Sequence, residues 1–123
     1  NKLGTLETET ELVTFETEIV DRFGKVPNEV RDLLNSVRIK WLAKELGLEK
    51  IVLKQKRMIG YFVGNQQSDF YQTNAFSRML NYVQQNGKSC VMKEKETKNG
   101  LRLIITFIRI DSVKTALEIL SKI

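Results

Sequence analysis

Residues 11–34, ELVTFETEIVDRFGKVPNEVRDLL, set two helical patterns on either side of a four-residue break, Gly24 to Pro27. Upstream, Leu12, Phe15, Ile19 and Phe23 recur at steps of three, four and four, which puts them on one stripe of a helix expected from about Thr8 to Phe23. Gly24 ends that helix, because glycine enters the left-handed region without a Cβ clash. Pro27 suits the first turn of the next helix, where its missing N–H would have had no partner. Phe23, Gly24 and Pro27 therefore define a structural corner. The second helix is expected to reach about Leu46, with Glu29 and Asp32 near its positive N-terminal end and Gly47 as its stop. Its apolar residues fall in two sets: Val30, Leu33, Leu34, Val37 and Trp41 on one side, Ile39, Leu42, Ala43 and Leu46 on nearly the other. A helix apolar on two sides is sandwiched, here between the first helix and a sheet.

Beyond Gly47 the period changes from helical to alternating. KIVLKQ (50–55) and MIGYFV (58–63) read as strands of a hairpin turning at Lys56-Arg57, without the usual glycine signal. SDFYQTNAFSRMLNYVQQNG (68–87) reads as one helix stopping at Gly87, with Phe76, Met79, Leu80 and Val83 inward. A second hairpin follows, with Asn99-Gly100 as its turn and a strand over Leu101 to Ile110 that is apolar on both faces, as a central strand should be. Asp111 or Ser112 caps a last helix whose Val113, Ala116, Leu117 and Leu120 face inward. The expectation is an α+β fold: a helical hairpin followed by two ββα units forming a mainly antiparallel sheet with helices packed on it.

At 123 residues the chain fits a single domain, residues 1–123, with one sizeable core. Composition is that of a globular protein, 41% hydrophobic and 28% charged, and no apolar run approaches the roughly 20 residues that span a bilayer. No membrane partner is expected. The opening NKLGTLETETEL has neither an initiator Met nor the order of a signal peptide, and reads as part of something longer. A lone cysteine, Cys90, suits a reducing cytoplasm, and inert burial is the expectation for it. The net charge of +5 is unevenly spread. Residues 1–36 hold four basic and eight acidic residues, a balance of −4; residues 37–123 hold 16 and seven, a balance of +9. Two surfaces with different partners would have this distribution, as would plain solvated helix faces.

The chemistry is informative by omission. With no histidine, the commonest general base and the commonest zinc ligand are both missing, and one cysteine cannot build a thiolate metal site. Neither glycine-rich phosphate motif is present. The reading is a non-enzyme without catalytic, metal or cofactor residues. Trp41 belongs to the apolar stripe of the second helix and is expected in the core. Phe70 and Tyr71 could stack on bases, but no RNA-recognition signature accompanies them.

EIVDRFGKVPNEVRDLL followed by IKWLAKELGLEKI resembles the C-terminal domain of bacterial transcription-repair coupling factors (Mfd), whose hallmark is an acidic helix ending in Asp-Arg-Phe-Gly, a short step to Pro, and a helix closing at Leu-Gly-Ile or a near relative. The likeness is close over residues 11–52, with Leu48 where the family has Ile, and continues beyond Val52 only as a rhythm of strands and helices. The resemblance implies a fragment of a larger multidomain ATP-driven DNA translocase acting in nucleotide excision repair in the bacterial cytoplasm. It also implies a non-catalytic, autoinhibitory role: the domain packs on the UvrB-like module of the same polypeptide and hides the surface that binds UvrA until RNA polymerase is engaged. DNA contacts would then belong to other domains of the parent. A plain helix corner would pair Asp21 with Arg22 locally; as a docking edge, the rigid corner presents Glu18, Asp21 and Arg22, at the end of an acidic face, to basic groups on the UvrB-like module. A charge-assisted contact of this kind can be tight yet reversible.

The basic half suggests an alternative. Under it, the chain is an accessory nucleic-acid binder whose Lys54, Lys56 and Arg57 meet phosphates along the first hairpin.

Overall fold

A computed structural model describes residues 6–64 and 68–123. Helix α1 (Glu9–Phe23) begins at Thr8, whose hydroxyl accepts from the Glu11 N–H at 3.2 Å. Helix α2 (Asn28–Glu45) follows the expected four-residue break. The two join along Leu12, Val26 and Leu34, with Leu6 at one end and Phe15, Ile19, Val30, Val37 and Trp41 half-buried around them. At the open end the Arg38 guanidinium grips the Glu9 carboxylate twice, Nη2 to Oε1 at 2.7 Å and Nε to Oε2 at 3.0 Å, and its Nη1 donates to Asn35.

The other side of α2 belongs to a different and larger core. Ile39, Ala43 and Leu46 meet Met58, Phe62, Met79, Ile105 and Phe107, together with Ala116 and Leu120 of the last helix. The two-sided pattern of α2 is thus a real division: one stripe seals the hairpin and the other covers the sheet. Leu33 is the exception at 53% exposed. Leu34 and Val30 fill the seam, and Leu33, about 100° round the helix from Leu34, is left outside.

The sheet is fully antiparallel, in the order β1 (Leu48–Lys54), β2 (Arg57–Phe62), β4 (Gly100–Ile108), β3 (Cys90–Thr97). Its α+β architecture, with a helical hairpin first, is the one expected. Helix α3 (Asn74–Gln85) links the two hairpins and α4 (Val113–Ser121) closes the chain, capped by Ser112, whose hydroxyl accepts from Thr115 N–H at 3.1 Å. Side chains of α2, α3 and α4 all enter the core on the face that carries Met58, Phe62, Ile105 and Phe107.

Several local expectations are corrected. The first turn is Gln55-Lys56, one residue earlier than predicted, and both residues are left-handed, with φ of 53° and 61°. That geometry matches the twist of the strands, so the turn forms although neither residue is glycine. In the second hairpin Thr97 pairs with Gly100, leaving Lys98-Asn99 as the loop; Gly100, at φ 105°, supplies the positive angle. The stretch 68–87 is two helices, a short 3-10 turn over Asp69–Gln72 and then α3. Thr73 divides them, because its extended backbone frees its hydroxyl to cap α3 at the Phe76 N–H. Leu80 is 40% exposed, and Tyr82 packs on Phe107 in its place.

A bulge early in β1 decides which residues face where. Leu48 pairs with Phe62 and Lys50 with Tyr61, so Glu49 is the extra residue. Leu48 and Ile51, three apart, can then both face the core. The Glu49 carboxylate accepts from the Gly64 N–H and sits 3.2 Å from Nη2 of Arg102, whose Nε donates to the Phe62 carbonyl.

Candidate docking corner

The corner at the end of α1 is rigid for local reasons. Gly24 adopts φ 81°, and its N–H closes on the Val20 carbonyl at 2.8 Å. Val26 then turns inward and is 9% exposed, filling the mouth of the hairpin core. Pro27, at φ −62° and ψ 153°, flanks α2 rather than lying inside its first turn, and its carbonyl accepts the Arg31 N–H. Its fixed φ thus sets the direction in which α2 leaves.

Glu18, Asp21 and Arg22 are all exposed on the last turns of α1. Spaced i, i+3 and i+4, they share one face, and Arg22 stands where the helix dipole favours a cation. Phe23 corrects the sequence expectation. It continues the periodic stripe but is 70% exposed. The hairpin core stops at Ile19 because Val26 from the loop occupies the space that Phe23 was expected to fill. Val20, 40% exposed, adds apolar surface one turn back from Gly24. The corner thus joins two carboxylates and a guanidinium to a large bare ring.

The alternative residues divide. Lys54 and Arg57 pair across the first hairpin on one face of the sheet, whereas Lys56 lies in the turn, its carbonyl taken by the Ile110 N–H. Phe70 and Tyr71 are not a stacking platform: with Phe62 and Phe76 they form a cluster of ring contacts between 5.0 and 6.2 Å. The Tyr71 hydroxyl donates to the Val63 carbonyl, and burial raises its pKa. Cys90 is buried, and that burial pushes its thiol up to about 11. Trp41 packs against the hairpin core. A groove of about 700 Å³ runs between α2 and β1, lined chiefly by Ile39, Ala43, Leu48, Ile51 and Leu53. Among the described residues no group of three metal-ligating side chains comes together, and no helix is long and apolar enough to cross a membrane.

Residues 1–73 match the family model of the TRCF domain. The chain belongs to the TRCF domain family. The transcription-repair-coupling factor of Rickettsia conorii is 42% identical over 50 residues, which are 41% of this chain and 4% of the relative. That of Escherichia coli K12 is 34% identical over 55 residues, 45% of this chain and 5% of the relative. The TRCF domain chain therefore matches only a small fraction of the length of these proteins. The family match runs across the corner, α2 and the first hairpin, and ends at Thr73, the residue that caps α3. Sequence periodicity located the charged residues of the TRCF corner but missed the exposure of Phe23. The signal available was Val26, an apolar residue placed inside the break itself.

Proposed function

We propose that this TRCF domain is a regulatory, non-catalytic part of a transcription-repair coupling factor, docking through its corner on a UvrB-like module of the same polypeptide. Docked, it masks the UvrA-binding surface; engagement of RNA polymerase by the parent translocase releases it. The reading is supported by one observation above the rest: Phe23, 70% exposed, directly follows exposed Asp21 and Arg22 at a geometrically fixed helix end. Contacts that carry most of a binding energy typically combine a large apolar anchor with flanking polar groups. A release of this kind needs only a few kcal/mol of differential binding.

The test is charge reversal in the full-length factor, Glu18→Lys with Asp21→Lys. The isolated domain should keep its circular dichroism spectrum, and the full-length variant should bind UvrA without polymerase. If UvrA binding stays at the level of the unmutated factor, the corner does not hold the clamp.

A further inference from the structure

The face of the sheet opposite the helices has its own pattern, which the strand register reveals. Reading across from β1, one row is Lys50, Tyr61, Ile104 and Lys93. The adjacent row is Val52, Ile59, Thr106 and Val91. Beyond the first lies Arg102 beside Lys95; beyond the second, Lys54, Arg57 and Ile108. None of these thirteen residues belongs to either hydrophobic cluster, and of them Ile104 is buried, at 5% exposed. Six cations occupy the margins, with Glu49, held by Arg102, as the acid beside them. Lys50, Lys54, Arg57, Lys93 and Lys95 are exposed. The middle is apolar and aromatic, and the Lys50 ammonium stands 5.3 Å from the Tyr61 ring centroid.

We propose that this face binds single-stranded nucleic acid, with bases lying on Tyr61 and Ile59 and phosphates meeting the marginal lysines and Arg57. Charge complementarity selects a polyanion. Lysine is depleted at the centres of protein interfaces but is a regular phosphate ligand. The geometry then selects the single strand. Four strands about 4.8 Å apart put Lys50 and Lys93 roughly 14 Å from each other, with the apolar floor between them. A duplex hides its base faces and would reach only the cations, while an unpaired strand offers bases to the floor and phosphates to the rim together. This surface lies on the sheet, away from the corner residues, so it stands or falls independently of the clamp.

The 123-residue chain is titrated against a fluorescein-labelled 12-mer oligothymidylate by anisotropy between 50 and 200 mM NaCl. Binding should weaken with salt, with a log–log slope of about −0.7 for each phosphate contacted. Lys50→Gln with Lys93→Gln should make the slope shallower by about 1.4, since two contacts are lost. Tyr61→Leu should weaken binding about tenfold and leave the slope unchanged, as expected for a stacking contact. Lys54→Gln with Lys95→Gln is a second pair that makes the same slope prediction if the first pair disturbs the sheet, and Lys25→Gln with Arg31→Gln, on the helical hairpin, should change nothing. Absence of binding at 50 mM NaCl overturns the proposal, as does a slope indifferent to both lysine pairs. So does a duplex 12-mer that binds as tightly, or polyglutamate that displaces the strand as well as unlabelled oligothymidylate does; the last outcome would make the face a dock for an acidic protein.

Discussion

The ring of Phe70 lies so close to Gly47 that a Cβ at position 47 would stand 2.3 Å from the Phe70 Cε2 atom. Gly47 also holds φ 75°, and its carbonyl accepts the Val63 N–H, so helix end, sheet end and aromatic cluster meet at a residue with no side chain. Gly24 has the same sign of φ, at 81°, but a Cβ there would have nothing within 4 Å. Gly24→Ala should therefore cost about 1 kcal/mol, the strain of a left-handed residue alone. Gly47→Ala adds a steric clash and should cost roughly 3 kcal/mol. Urea denaturation midpoints of the two variants check the order.

Phe23→Ala should change stability by less than about 0.5 kcal/mol, because the ring is 70% exposed and contributes to no core. Leu34→Ala, at a fully buried position in the hairpin seam, should cost about 2 to 5 kcal/mol. If Phe23→Ala approached the Leu34→Ala cost, the ring would have to be packed in solution.

Breaking the Glu9–Arg38 grip by Glu9→Gln should cost less than about 1 kcal/mol, since the Glu9 side chain is 59% exposed and solvent screens the pair. The difference from wild type should shrink further in 0.5 M NaCl, read from the same denaturation curves.

Cys90 makes stability depend on pH. Burial raises its thiol from 9.0 to about 11, so the folded protein holds the proton more tightly than the unfolded chain. The contribution is fully present below pH 9 and is lost as pH rises towards 11, by at most about 3 kcal/mol. Tyr71 and Tyr82 are shifted up as well, chiefly by burial, and add losses of the same sign. The comparison is therefore with Cys90→Ala: the gap in stability between wild type and variant should narrow across that window and stay constant below pH 8.

The corner and the two-sided α2 were legible because both are written in short-range terms: a period of 3.6, a glycine at a left-handed position, and a proline before the next helix. Ile39, Ala43 and Leu46 fell on the sheet side and Val30, Leu34 and Val37 on the hairpin side, as their spacing required. What escaped depends on partners distant in sequence. The bulge at Glu49 is visible only once Leu48 and Lys50 are set against Phe62 and Tyr61. Likewise, Gln55 and Lys56 accept positive φ because the flanking strands twist together, which nothing in their own chemistry announces. At the candidate site, the helical period placed Glu18, Asp21 and Arg22 on the last turns of α1, and the periodic stripe was carried one residue set too far, to Phe23. The basic rows of the sheet face could not be assembled until β4 was known to lie between β2 and β3.

Helix α2 is the wall shared by two cores, and every buried or half-buried apolar residue of α1 belongs to the smaller one. Cooperativity should follow that division. Helix α1 can peel away without opening the sheet, so its amides should exchange with deuterium at a lower free energy than those of β2 and β4. Such an event would bare Val30, Leu34, Val37 and Trp41 as a ready apolar strip on α2. The same strip could receive α1 from another copy, so prolonged high concentration would favour exchange of the first helix between chains.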